Sequence, residues 1–122
     1  MIVLDEQLND FTLFAEVQDW YKGKVITINE LRQDSVIKDD NIASLLHQEK
    51  QATFVTINYD DFWHKIKPHH NYCIVCLRID GNRVDELSPV LRELLSLEQF
   101  NTKQKRMGKI ISVRNGKVNW YE

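Results

Sequence analysis

Four short apolar runs punctuate the chain: Ile2 to Leu4, Lys24 to Ile28, Ala52 to Ile57 and Asn71 to Ile79. Each is too short for a helix and is followed by a stretch with polar or helical spacing. The last, NYCIVCLRI, is apolar at both odd and even positions and so suits a strand buried on both faces. Gln7 to Tyr21 has helical spacing, with Leu8, Phe11, Phe14, Val17 and Tyr21 near one stripe and Gly23 placed to end it. Asn29 to Lys38 is polar and reads as a loop with about one helical turn. Asp39 or Asp40 can cap a helix running to about Glu49, and Asp60 to Lys65 suits a short helix. Val84 to Phe100 repeats leucines at helical spacing, with Pro89 tolerated in a first turn. Gly108 to Val113 and Lys117 to Tyr121 flank Asn115-Gly116, a strong hairpin signal.

Strands alternating with helices predict a three-layer α/β/α domain with a mainly parallel sheet and a C-terminal hairpin. At 122 residues, with short connections and no change of composition, the expectation is one domain over 1–122. A net charge of −2 argues against a protein that coats nucleic acid, so contact with it must come from a local patch. No apolar run approaches a membrane span, and Met-Ile-Val-Leu-Asp lacks the basic start of a signal peptide, so a cytoplasmic location without membrane contact is expected.

In an open parallel sheet, ligands bind beyond the carboxyl ends of the strands. The first strand ends at Asp5-Glu6 and the third at Asn58-Tyr59-Asp60-Asp61. The helix entering the third strand starts at Asp39-Asp40, on the same side. Two like charges about 4 Å apart repel by about 4 kcal/mol at an effective dielectric near 20. A rim of such pairs stays ionised with a cation among them, and oxygen-only ligands favour Mg²⁺ or Mn²⁺ over zinc. That chemistry suits phosphodiester hydrolysis. Each acid also has a plainer reading, since Asp5 can be a solvated strand end and the two later pairs can be helix caps.

With these pieces in place the chain resembles the PIN-like nucleases, and more closely their short, toxin-type branch. Ile-Val-Leu-Asp-Glu-Gln-Leu resembles that branch's opening, Leu-Leu-Asp-Glu-Asn-Leu. Val-Ile-Thr-Ile-Asn-Glu-Leu-Arg resembles its second strand and the segment after it, and Asp39-Asp40-Asn41-Ile42 its Asp-x-x-Ile helix start. Val-Thr-Ile-Asn-Tyr-Asp-Asp-Phe, from Val55 to Phe62, resembles Thr-x-Asn-x-x-Asp-Phe. The resemblance implies a metal-dependent endoribonuclease, with RNA as substrate and a small antitoxin protein as partner. It implies that Asp5, Asp39 and Asp61 hold Mg²⁺ or Mn²⁺, with Asp60 as a further catalytic acid. Glu6 and Asp40 are neighbours able to substitute, and Thr56 and Asn58 orient the last acid. The short branch usually carries an acid where Asn58 stands, and by that alignment Asp60 is the matching acid and Asp61 an insertion. The alternative is therefore a catalytically weak or inactive relative that binds RNA or a protein.

Three further groups of residues stand out. His64, His69, His70, Cys73 and Cys76 fit no standard zinc spacing, and the two cysteines, three apart in a strand, should face opposite ways as buried thiols. Lys65, Lys67, Arg78, Arg83, Lys103, Lys105 and Arg106 are candidates for gripping a nucleic-acid backbone, although charge runs are usually solvated faces. Trp63 is the best base-stacking candidate, with core packing as its plainer reading, and Trp120-Tyr121 offers an edge for a homodimer. A phosphoacceptor signalling domain would need an aspartate ending the third strand, which the sequence lacks.

Overall fold

A computed structural model of the chain describes residues 1–34 and 42–122. The four apolar runs form parallel strands: β1 (Ile2–Leu4), β2 (Val25–Thr27), β3 (Ala52–Thr56) and β4 (Tyr72–Leu77). β5 (Ile110–Arg114) extends the parallel sheet and β6 (Lys117–Tyr121) returns antiparallel beside it. The order across the sheet is β2-β1-β3-β4-β5-β6. Both turn residues of the hairpin have positive φ, 50° at Asn115 and 78° at Gly116, as a two-residue type I′ turn requires.

Strand residues alternate strictly between two cores. Ile2, Leu4, Val55, Cys73, Val75, Leu77, Ile111 and Val113 belong to one. It is covered by α1 (Phe11–Trp20) and α5 (Leu87–Ser96), which also touch each other through a hydrogen bond from the Trp20 indole to Ser88 Oγ at 2.9 Å. Val3, Ile26, Phe54, Ile74, Cys76 and Ile110 belong to the other. That face carries α2 (Ile28–Asp34), α3 (Ile42–Gln48) and α4 (Tyr59–Phe62). The result is the expected three-layer α/β/α arrangement with a mainly parallel sheet and a C-terminal hairpin.

Several local expectations are corrected. The first helix is interrupted: Glu6–Leu8 is a single 3₁₀ turn, and α1 begins only after Asp10, whose carboxylate accepts from the backbone N–H groups of Thr12 and Leu13. With the helix restarted there, Leu13 and Val17 face the core, and Phe11 lies about 120° around the axis from Val17 and is 89% exposed. Gly23 does not end α1 in a left-handed cap; Tyr21 ends it, and a Cβ at Gly23 would come within 2.7 Å of the Tyr21 ring. α2 begins already at Ile28, expected in the strand, and takes in Asn29 to Asp34, so this part of the segment is a helix rather than a loop with one turn. The leucine-rich helix is confined to α5, preceded by a 3₁₀ stretch Gly81–Glu86, and Pro89 sits in its first turn as expected. Lys103–Arg106 forms an unanticipated short helix, α6, capped by Thr102. The proposed caps Asp39 and Asp40 lie outside the described residues.

Replacing Asp10 with alanine removes the N-terminal side-chain cap of α1 and should lower stability by about 1 kcal/mol. Urea denaturation would register this as a lower midpoint with an unchanged slope.

Candidate functional site

The strand order reverses direction of growth between β1 and β3, and in sheets ordered 2-1-3-4-5 that switch point is where ligands bind. Asp5 stands immediately after β1 and Thr56 is the last residue of β3, and the register pairs Leu4 with Val55. Their side chains meet across the switch. Thr56 Oγ1 donates to Asp5 Oδ2 at 2.7 Å, and the Glu6 backbone N–H donates to Asp5 Oδ1 at 2.8 Å. Asp5 is only 5% exposed and Thr56 is fully buried.

A relay runs on from this pair. The Asn58 N–H donates back to Thr56 Oγ1 at 3.0 Å. The Asn58 side chain then caps α4: its oxygen accepts from the Asp61 N–H at 3.3 Å, while its amide nitrogen donates to Asp61 Oδ2 at 2.6 Å. Asp5, Thr56, Asn58 and Asp61 are thus joined by consecutive hydrogen bonds. Two carboxylates from distant parts of the chain, the buried Asp5 and the exposed Asp61, each accept a hydrogen bond from a neutral side chain.

The other sequence candidates fall elsewhere. Glu6 turns away from Asp5 to pair with Arg32 at 3.0 Å, and Arg32 also donates to Asn29 Oδ1 at 3.3 Å. Asp60, adjacent to Asp61, lines a separate open groove of about 800 Å³ with Ile57, Arg78, Asp80 and Arg114. Asp39 and Asp40 fall outside the described residues. Among the described residues, no three carboxylate, histidine or cysteine side chains converge to hold a metal ion. Asp61 is exposed and lines a further groove with Lys65 and Lys67, and only the chain of hydrogen bonds through Thr56 and Asn58 links it to Asp5. The donor set that the two acids would offer nevertheless suits a hard cation. It is all oxygen, each Asp5 oxygen has one hydrogen-bond donor and retains acceptor capacity, and Mg²⁺ is commonly held by one or two carboxylates with water completing the shell.

The densest basic run does not belong to the rim. Arg106 is buried, donating to Thr53 Oγ1 and the Phe100 carbonyl, and Lys105 donates to the Glu98 carbonyl and Asn101. Thr53 lies near the start of β3, so α6 stands at the opposite end of the sheet. Trp63 is half-buried: it stacks on Tyr59 and meets the edges of Tyr121 and His64, so it is packing rather than an open platform. Tyr121 is also engaged inside the molecule, its hydroxyl accepting from the His64 N–H at 2.9 Å. Cys73 and Cys76 point into opposite cores, and burial pushes both thiols up to about 12. His69 packs against His47, His70 and Tyr72 at the other end of β4. Arg32 and Arg114 are the rim residues that the sequence did not single out; Arg114 was foreseeable, because a two-residue turn at Asn115-Gly116 must set it opposite Lys117.

Comparison with family models, curated proteins and solved structures finds no match for this chain.

Thr56→Val keeps the shape but leaves a buried carboxylate oxygen without its donor, and should cost about 1–3 kcal/mol in urea denaturation. For the thiols, a folded pKa raised above the unfolded value means that stability present at neutral pH is lost as pH rises from about 9 toward about 12. Both cysteines should resist alkylation at pH 8 and react together on unfolding, which mass spectrometry of labelled protein would record.

Proposed function

We propose that this protein is a metal-dependent phosphodiester hydrolase acting on RNA, of the toxin-type PIN-like kind that its motifs resemble. The observation that carries the reading is the hydrogen-bonded relay Asp5–Thr56–Asn58–Asp61 at the switch point of the sheet. Two carboxylates from separate strand ends are tied into it, and among the described residues neither forms an ion pair. Asp5 and Asp61 would hold Mg²⁺ or Mn²⁺, with Asp39 as the third acid by resemblance. Bound there, the ion would lower the pKa of a water and offset charge on the phosphate. The chain's own part is to fix the carboxylates. Thr56 and the Glu6 N–H hold the two oxygens of Asp5, and the Asn58 amide holds Asp61. Asp60 faces the adjoining groove, where it can accept a proton or position water beside a bound strand. A role beside a small antitoxin protein rests on the resemblance alone.

A second reading has one observation in its favour. Asn58 stands where the short branch carries an acid, which leaves the rim a carboxylate poorer. On this reading the same relay serves a non-catalytic module that binds RNA or a protein.

The purified protein should cut single-stranded RNA with Mn²⁺ or Mg²⁺ and stop in EDTA. Asp5→Asn should abolish cutting while the thermal midpoint stays within a few degrees of the parent, and normal cutting by that variant would end the nuclease reading. Asn58→Ala should weaken Mn²⁺ binding about 10–100-fold by calorimetry, as loss of a ligand-orienting partner does. A parent protein that binds no Mn²⁺ at millimolar concentration would favour the non-catalytic reading.

A further inference from the structure

The carboxyl end of the sheet holds a second feature, beyond the acidic rim. Leu77 pairs with Val113 between parallel strands, and Arg114 pairs with Lys117 across the hairpin. Arg78, Arg114 and Lys117 therefore form a transverse row at one level, one residue per strand, on neighbouring strands spaced about 4.8 Å apart. Leu77 and Val113 belong to the core under α1 and α5, so alternation puts all three cations on the opposite face. All three are exposed, and none forms an ion pair among the described residues. Like charges set side by side across strands are unfavourable, and although Asp60 and Asp80 line the adjoining groove with Arg78 and Arg114, no ion pair joins them among the described residues.

The surface around the row is polar where a three-layer fold would place a helix. Ser112 and Asn119 are register partners, and together with Tyr59, Trp63 and the three cations they line a cleft of about 550 Å³. Arg78 does not wave freely: its guanidinium lies over the Tyr59 ring at 4.0 Å, and that ring stacks on Trp63 at 5.6 Å. A guanidinium stacked by its face keeps its in-plane N–H groups available for an anion's oxygens. Arg78, Arg114, Tyr59 and Asn115 also line the larger groove that contains Asp60, so the cleft and that groove are continuous.

We infer that the row Arg78–Arg114–Lys117 is a track for the phosphodiester backbone of a single-stranded nucleic acid, which leads along the β4–β5–β6 face toward the acidic rim. The inference rests on reading the rim as acting on RNA, but not on cleavage. The Ser112 hydroxyl and the Asn115 and Asn119 amides supply neutral hydrogen-bonding groups between the charges, suited to phosphate and ribose oxygens.

Binding of a fluorescein-labelled 12-nucleotide RNA, followed by anisotropy in EDTA from 50 to 200 mM NaCl, tests the track separately from catalysis. Each phosphate contact on a single strand contributes about 0.7 to the slope of log affinity against log salt, so R114Q/K117Q should flatten that slope by about 1.4 and weaken binding at low salt. Both positions are exposed, and Lys117→Glu gives the same readout should the double variant misfold. The control pair K22Q/K50Q, exposed residues beyond the amino ends of the strands, should bind like the parent. No binding by the parent, no loss in R114Q/K117Q, or an equal loss in the control pair would each overturn the track. Cutting in Mn²⁺ is scored in the same samples: a parent that binds through the row but never cuts removes the nuclease reading and leaves the track standing.

Discussion

A carboxylate shut inside the protein at the end of a strand is the constraint around which the rim is built. Asp5 cannot turn to solvent, because it is packed between β1 and β3 at the point where the sheet grows in both directions. It must find its donors locally, and it finds one in the next backbone N–H and one in Thr56. The second donor ties the end of β3 to the end of β1. The Thr56 hydroxyl in turn accepts from the chain leaving β3, so the same atom sets where Asn58 and α4 begin. Removing this hydroxyl would leave a buried oxygen unsatisfied and release the start of α4.

Asn58 gains meaning in this setting. A carboxylate at that position could accept from the Asp61 N–H and so cap α4 equally well. It could not donate to Asp61 Oδ2, and the two acids would repel instead. On the proposed reading of the rim, the amide would exchange a potential metal ligand for a firmer grip on Asp61. That exchange is compatible with a rim having fewer carboxylates that are better oriented, and it separates the two readings of the site more sharply than the residue count does.

Much of the architecture was legible in the chain because its strands are apolar on both parities and its turn residues are specific. Ile2 to Leu4, NYCIVCLRI and Asn115-Gly116 needed no tertiary information. The errors have local causes. Leu8 and Phe11 mimic helical spacing, which hid the break that Asp10 imposes; the aspartate's capping role was the signal that should have prevailed. Lys103 to Arg106 read as a solvated charge run, although Thr102 could have announced a helix start, and the burial of Arg106 depends on the distant Thr53. Asp5 and Thr56 were each legible, but their hydrogen bond joins residues 51 apart and depends on which strands are neighbours. The Glu6–Arg32 pair was hidden for the same reason, its arginine lying in a short segment that only Ile28 and Leu31 tie to the core.

One short element serves both ends of this surface. α4 has four residues; its cap Asn58 and its own Asp61 belong to the hydrogen-bonded rim, while Tyr59, its first residue, carries the guanidinium of Arg78. A single turn of helix has no interior in which to absorb a distortion. Were a cation to bind at the acidic end as proposed, a shift of that end would be felt at the aromatic ring and, through it, at the arginine. Thermodynamic linkage makes such communication symmetrical: by whatever factor a cation alters the grip on a polyanion, the polyanion alters the grip on the cation.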